Sequence, residues 1–494
     1  MATAQQPQTE FVKAISRLDA TALVVGSMIG SGIFIVSAEI LREVHAPGFL
    51  LLVWAVSGVV TLMGALTYGE LAAMFPKAGG QYVYLREGIG PLFGYLYGWT
   101  LFVVIQTGTI AAVAVAFARF ASVLWPQLTP ETLPGLGTTI HFPLPIGDIL
   151  VGVSPQRLFA IASIILLTWI NVRGVRTAAI VQTTFTVTKT AALAVLIVLG
   201  LTIGRNAAAL AANFGANFWA TGGVAVGATA IGAAMVGSLF SMDAWNNVGF
   251  ASGELKQPER DLPFAMAVGV LVVTTLYLLA NVAYLNVLPR VAIQMASTEN
   301  HPPLGTAALQ AMFGGAGLSI MAVAVMISTF GCNNGLILSG ARVYWAMARD
   351  NLFFKTAGVL HPRYKTPAVA LVVQAVWTCV LCLSGTYNQL LNFVIFAALV
   401  FYMLTAIGLF ALRAKRPATR DRCGRHCTRG CQRRTWHSRP SSRSPCWWRG
   451  RRGPTASWAS PSCCSACPST ICGEERYSAA PGLLHNDIAD KEMS

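Results

Sequence analysis

Apolar residues come in long runs separated by short polar stretches. Ten runs fall near residues 18–42, 48–74, 92–120, 157–171, 177–203, 222–250, 263–288, 315–346, 367–384 and 388–412. A helix needs about 20 predominantly apolar residues to cross the hydrocarbon of a bilayer. Most runs meet that length; the fourth is the shortest. The pattern predicts an all-α polytopic membrane protein. Residues 121–155 are rich in Pro and Gly and lack Lys and Arg, so they read as an external loop with a short surface helix. The polar start and the length of the first run do not fit a cleavable signal segment.

Two runs are interrupted. The first holds Gly26-Ser27-Met28-Ile29-Gly30-Ser31-Gly32-Ile33-Phe34, and the sixth holds Gly237-Ser238-Leu239-Phe240-Ser241-Met242-Asp243-Ala244-Trp245-Asn246-Asn247. They stand five segments apart, the spacing expected when corresponding helices of two inverted halves are broken around a shared site. The halves are then 18–203 and 222–412, after an N-terminal segment 1–17 and before a tail 413–494. The glycines near residues 26–34 admit two explanations. They can form a small-residue face for helix packing. Alternatively the chain unwinds, which a bilayer tolerates only where backbone lines a cavity. An unwound stretch suits a zwitterion. Amides of Ser31, Gly32 and Ile33 can receive a carboxylate, and carbonyls of Met28 and Ile29 can receive an ammonium.

Composition strengthens the membrane reading. Of 494 residues, 54% are hydrophobic and 11% charged, against roughly 25% charged in soluble domains. The charge is unevenly spread. Residues 1–412 carry 19 Lys/Arg and 14 Asp/Glu, whereas 413–494 carry 16 and 6. The net charge of +15 therefore describes mostly the tail and gives no case for nucleic acid. With the N-terminus inside, the inner loops hold 13 of the first 19 basic residues, Arg342 counted among them, in line with the positive-inside rule.

Several polar side chains fall inside the apolar runs. Asp243 is costly in a bilayer unless hydrated or paired. It either satisfies backbone donors at the break or supports a substrate ammonium. Phe240 either packs on lipid or closes the pocket from outside. Ser241 and Asn246 lie at comparable depth. Lys189, within Thr186-Val187-Thr188-Lys189-Thr190, lies too deep for simple snorkelling. It is either a packing lysine capped by a carbonyl or an ammonium standing in for a coupling cation. Ser328–Gly335 presents small and polar groups that suit a hydrated face or interhelical contacts. In Glu254–Asp261, pairing among the loop's own charges could control inward opening, or the stretch is a solvated loop before a helix. No HExxH, GxSxG or Walker A motif occurs, and the seven histidines show no metal spacing. No catalytic residue, cofactor or metal is expected.

Taken together, Gly26–Phe34, Tyr68-Gly69-Glu70-Leu71, Pro76-Lys77-Ala78-Gly79-Gly80, Asn171 with Gly174, Lys189, Phe240–Asn246, Glu254, Asp261-Leu262-Pro263 and Ser339–Arg349 resemble the amino acid–polyamine–organocation transporters. Within them the chain is most similar to bacterial relatives of the L-type transporters and alanine–serine–cysteine exchangers. The resemblance spans roughly residues 14–412. It implies a five-plus-five inverted repeat with broken first and sixth helices, alternating access, and substrate recognition through Ser31, Gly32 and Ile33. It places Phe240 at an aromatic gate, Asn246 beside the pocket, and Lys189 where sodium-independent relatives use a lysine instead of a sodium site. It implies sodium-independent exchange of small or medium neutral L-amino acids across a bacterial inner membrane, with the N-terminus cytoplasmic. Proton symport and a non-transporting amino acid sensor are the alternatives. Its expected partners are amino acids and lipid, with room for a homo-oligomer or a small membrane partner. One departure stands out: relatives often carry an aromatic before the aspartate and a glycine after it, where this chain has Met242 and Ala244.

The tail departs from this chemistry. Eight of the 11 cysteines lie beyond residue 412, amid Arg, Ser, Pro and Trp. Relatives continue with two further membrane segments. An out-of-frame reading of a GC-rich gene gives this composition; the alternative is an authentic basic tail held on anionic lipid. The spacing of Cys423, Cys427 and Cys431 does not make a standard zinc knuckle.

Overall fold

The computed structural model describes residues 11–140, 149–223, 225–298, 301–384 and 387–415. The tail reading lies outside them beyond Lys415. Each of the ten predicted segments is helical. The first is a bent pair, α1 (Arg17–Met28) and α2 (Gly32–Val44), whose axes differ by 43°. The second is α3 (Pro47–Met74), followed by a short helix the hydrophobic pattern did not announce, α4 (Gln81–Gly88). The third comprises α5 (Pro91–Thr100) and α6 (Gln106–Leu124), joined through one π-helical turn. Segments four and five are α7 (Pro155–Val172) and α8 (Val175–Leu201), and a short α9 (Ala207–Asn213) follows.

Segment six is again split, into α10 (Ala228–Ser241) and α11 (Asn247–Phe250). Segment seven, α12 (Pro258–Val287), begins earlier than predicted. Pro258 opens its first turn, where a missing N–H costs nothing. The charged stretch before Pro263 is therefore partly helix. After α13 (Arg290–Met295), α14 (Leu304–Arg349) is broken at Gly314, whose φ of 61° is open to glycine without strain. The last two are α15 (Ala368–Ser384) and α16 (Tyr387–Lys415). Among the described residues, by length and apolarity, seven helices can cross a membrane and the bent pair makes an eighth; Ala228–Ser241 and Ala368–Ser384 are shorter apolar helices.

The outer loop corrects one expectation. Among its described residues it forms two antiparallel strands, β1 (Gly137–Ile140) and β2 (Ile149–Gly152), and no surface helix. Thr138-Thr139-Ile140 and Ile149-Leu150-Val151 pair across the ladder, and β-branched residues of this kind suit a pleated surface.

Two packing groups position the broken helices. In one, α3 and α1 pack on α12, and α2 and α3 pack on α10. In the other, α14 packs on α6, α7 and α8, while α6 also meets α15 and α16. The halves of the first segment touch both groups, since α1 lies against α8 and α14 as well as α12. We call the first group the bundle and the second the scaffold.

Candidate transport site

The first break comprises Ile29, Gly30 and Ser31, all buried. Ile29 leaves the helix with φ −76° and ψ 90°. Helix ends leave the last carbonyls of one half and the first amides of the other without intrahelical partners. Those of α1 are met largely by side chains from other segments. The Lys189 ammonium, 1% exposed, donates to the Gly26 carbonyl, to the Ile29 carbonyl at 2.8 Å and to the Ser328 carbonyl at 3.3 Å. An ammonium has three donors, and three carbonyls take them. The negative end of the α1 dipole favours a cation there. Ser328 reinforces the arrangement, its hydroxyl lying 3.1 Å from the Ile29 and Gly30 carbonyls. Cys332 donates to the Ser27 carbonyl at 3.0 Å.

The second break runs from Met242 to Asn246. Ala244 there adopts φ 67°, the left-handed region that costs a residue with a Cβ about 1–2 kcal/mol. A glycine would adopt this conformation without that cost.

The two breaks meet. A Cβ on Gly32 would lie 2.1 Å from the Ser241 hydroxyl oxygen, so only a glycine permits this approach. Tyr277 on α12 ties the breaks together, its hydroxyl lying 3.0 Å from the Met28 carbonyl and 3.2 Å from the Ser241 carbonyl. Trp54 of α3 packs edge-on against the Tyr277 ring at 5.2 Å. One phenol thus links segments one, two, six and seven.

Beyond the second break lies a cavity lined by Gln81, Tyr97, Gln106, Thr109, Asp243, Asn246, Asn247, Leu336, Ala398 and Tyr402, among others. Asn246 donates to Gln81 at 3.0 Å, and Gln81 donates to Thr405 at 3.0 Å. Tyr402 of α16 donates to the Asp243 carboxylate. The Asn247 side-chain amide nitrogen, Nδ2, is buried and makes no hydrogen bond among the described residues.

The candidate residues thus fall into three places. Met28, Ile29, Ser31, Gly32 and Ile33 gather around the first break with Lys189, and Ser241 closes on them. Asp243 and Asn246 line the neighbouring cavity, and no residue of the first break does. Phe240 is buried beside the second break, outside that lining. Glu254 lies elsewhere and corrects two readings. Its carboxylate is bound by Arg342 of α14 at 2.9 Å, and both side chains are essentially inaccessible. Arg342 is therefore no loop cation, and Glu254 does not pair within its own loop. Asp261 likewise leaves that loop, pairing with Arg17 at 2.7 Å. Burying Glu254 or Arg342 without the other would cost about 3–5 kcal/mol, which is why those two meet across segments. Gln81, Gln106, Tyr277, Thr109 and Tyr402 were missed by sequence reasoning. A glutamine within an apolar run was the one available signal.

Broken helices packed against a helical scaffold, with backbone carbonyls turned to a buried ammonium, define a multi-pass helical membrane protein with two interrupted segments. The comparisons place it more closely. Residues 15–436 match the family model described as amino acid permease. The b(0,+)-type amino acid transporter 1 of Homo sapiens is 30% identical over 421 residues, covering 83% of this chain and 78% of that protein. The serine/threonine exchanger SteT of Bacillus subtilis is 31% identical over 405 residues, covering 82% and 84%. The large neutral amino acids transporter small subunit 2 of Homo sapiens is 31% identical over 417 residues, covering 82% and 70%. The chain belongs to the amino acid permease family of the amino acid–polyamine–organocation superfamily, and its function is amino acid transport.

Proposed function

We propose sodium-independent exchange of small or medium neutral L-amino acids by alternating access. The observation that carries this reading is the occupied first break. Lys189 fills the carbonyl end with a fixed cation, leaving no need for a metal ion there, while the amide end of α2 faces Ser241. The substrate carboxylate rests on the amides of Ser31, Gly32 and Ile33, at the positive end of the α2 dipole. The ammonium assignment shifts from the one the sequence suggested. The Ile29 carbonyl already accepts from Lys189 and Ser328, which uses both lone pairs. The Met28 carbonyl likewise accepts twice, from the Gly30 N–H at 2.9 Å and from the Tyr277 hydroxyl at 3.0 Å, whereas the Ser241 carbonyl faces the Tyr277 hydroxyl at 3.2 Å, so the ammonium goes to the Ser241 carbonyl. Phe240 covers the site, and Asp243 and Asn246 border the space for the substrate side chain.

The relatives support this reading in kind. One is named as a serine/threonine exchanger and another as a transporter of large neutral amino acids. The latter is called a small subunit, which supports a membrane partner for this chain too. We place the protein in a bacterial inner membrane with the N-terminus cytoplasmic, on the distribution of basic loops. We read 18–203 and 222–412 as the two inverted halves. We also read the tail as a frameshift product; resequencing the gene is expected to reveal a shifted frame encoding two apolar segments, and an intact frame without them refutes it.

Transport assays in proteoliposomes test the functional reading. Internal unlabelled amino acid is expected to accelerate uptake of labelled neutral amino acid equally in sodium and choline buffers. Uptake driven by a proton gradient and indifferent to internal substrate would replace exchange with symport. Binding without flux would make the protein a sensor.

A further inference from the structure

Residues 11–19, the chain ahead of α1 and its first turn, run across one face of the molecule and touch α8, α12, α14 and the link that leads into α12. The Phe11 ring packs edge-on against Trp345 of α14 at 4.5 Å. Ile15 forms a parallel bridge with Leu255: its N–H donates to the Glu254 carbonyl at 3.0 Å, and the Lys256 N–H donates to the Ile15 carbonyl at 3.1 Å. Arg17 pairs with Asp261 at 2.7 Å and lies 5.0 Å from the Phe264 ring centre, both on α12. Asp19 accepts from Thr183 of α8 at 3.2 Å. Ile15 is 2% exposed and Leu255 is fully buried, so this segment is seated in the molecule.

These attachments differ in kind according to the group they reach. Those on the bundle side reach α12 and the link leading directly into it: Arg17 on Asp261 is an ion pair, and Ile15 on Leu255 a two-way backbone bridge. Those on the scaffold side are one ring contact and one neutral-donor hydrogen bond. The Glu254–Arg342 pair crosses the same boundary, since Glu254 follows segment six and Arg342 belongs to α14. Glu254 is therefore held twice, by the strap through its carbonyl and by the scaffold through its carboxylate.

We propose that residues 11–19 are a strap that keeps this face shut, that Ile15 and Arg17 are the positioning residues fixing it to the bundle, and that in the transport cycle it travels with the bundle while Phe11–Trp345, Asp19–Thr183 and Glu254–Arg342 part. The proposal rests on the alternating-access reading. It adds which contacts break and which persist. A bundle that rocks against a scaffold must lose contacts that cross the boundary and can keep those that do not.

Cys332 supplies a native reporter. Its thiol is buried against the Ser27 carbonyl, between α14 and α1, and becomes reachable when α1 leaves α14. The full-length protein is reconstituted, and a membrane-impermeant charged thiol reagent is added from one side at a time, with Cys332 modification read by mass spectrometry. Arg17→Ala and Ile15→Pro, the latter removing the N–H that meets Glu254, are expected to accelerate modification from the strap side by about three- to tenfold, the effect of losing one or two such contacts. Modification from the other side does not rise. Exchanging the charges, Arg17→Asp with Asp261→Arg, is expected to restore the wild-type rate. Unchanged strap-side modification in both single variants overturns the proposal. So does an equal rise from both sides, or a failure of the exchanged pair to restore the rate. The labelling does not depend on amino acid flux. A wild-type protein that shows no flux contradicts the transport reading alone.

Discussion

The Lys189 ammonium lies 2.8 Å from the Ile29 carbonyl, the first carbonyl beyond the end of α1. A charge from segment five thereby completes the backbone of segment one. Replacing Lys189 with methionine keeps an unbranched side chain one atom shorter and removes its donors. The Gly26, Ile29 and Ser328 carbonyls lose a shared partner; Ile29 keeps the Ser328 hydroxyl and Ser328 its place inside α14, so the loss falls hardest on Gly26 at the end of α1, where an unsatisfied carbonyl at membrane depth is expensive. Lys189→Met is expected to reduce exchange at least tenfold, measured as counterflow at matched protein density. Wild-type-like exchange would show that the lysine only packs.

Gly32 is the point of nearest approach between the two breaks. Gly32→Ala places a methyl 2.1 Å from the Ser241 hydroxyl. Overpacking of this kind costs ~1–3 kcal/mol and forces the breaks apart. Exchange is expected to fall by at least tenfold. Ser241→Gly in the same chain is expected to recover a substantial part, because the nearest remaining atom, the residue 241 Cα, lies 3.1 Å away. A single variant with normal KM and rate would contradict the observed contact.

Ala244 is strained where Gly would not be. Its φ of 67° costs ~1–2 kcal/mol for alanine, against ~0.5–1 kcal/mol of extra chain entropy lost by glycine on folding. Ala244→Gly is therefore expected to stabilise the detergent-solubilised protein by a net of about 0–1.5 kcal/mol, read as a slightly higher melting temperature. A drop in melting temperature would mean that the alanine methyl packs to advantage.

These predictions draw unequally on the sequence and on the structure. Ten segments and both interruptions were legible, because long apolar runs and mid-run Gly, Ser and Asp have few soluble explanations. Lys189 was legible as an anomaly, though nothing in the sequence named Gly26, Ile29 and Ser328 as its acceptors. Tertiary proximity was not legible. Arg342 looked like a loop cation until α14 carried it inward to Glu254. Gln81 sits in a loop by hydropathy, and only the short helix after Gly80 brings it to Asn246. A Cβ on Gly80 would lie 2.9 Å from the Gly249 carbonyl carbon, so the turn there is set by a close approach to segment six.

The Glu254–Arg342 pair makes a separate prediction. Arg342→Met leaves a buried carboxylate without its cation, which costs ~3–5 kcal/mol. The variant is expected to express poorly or melt far below the wild type. Adding Glu254→Gln removes the stranded charge and is expected to recover most of the folded protein, by size-exclusion profile and melting temperature. Equal damage in the single and double variants would indicate that Arg342 matters for its packing and not for its charge.

Counterflow in proteoliposomes tests the central claim most directly. Vesicles holding the wild-type protein are loaded with unlabelled amino acid and presented with trace label in sodium-free buffer, across neutral, acidic and basic amino acids. The two interrupted helices are expected to support transient accumulation of labelled small and medium neutral amino acids, abolished by Gly32→Ala and not by its rescue with Ser241→Gly. Accumulation of arginine or polyamines alone, or neutral uptake untouched by Gly32→Ala, would contradict a neutral amino acid site at the junction of the two breaks.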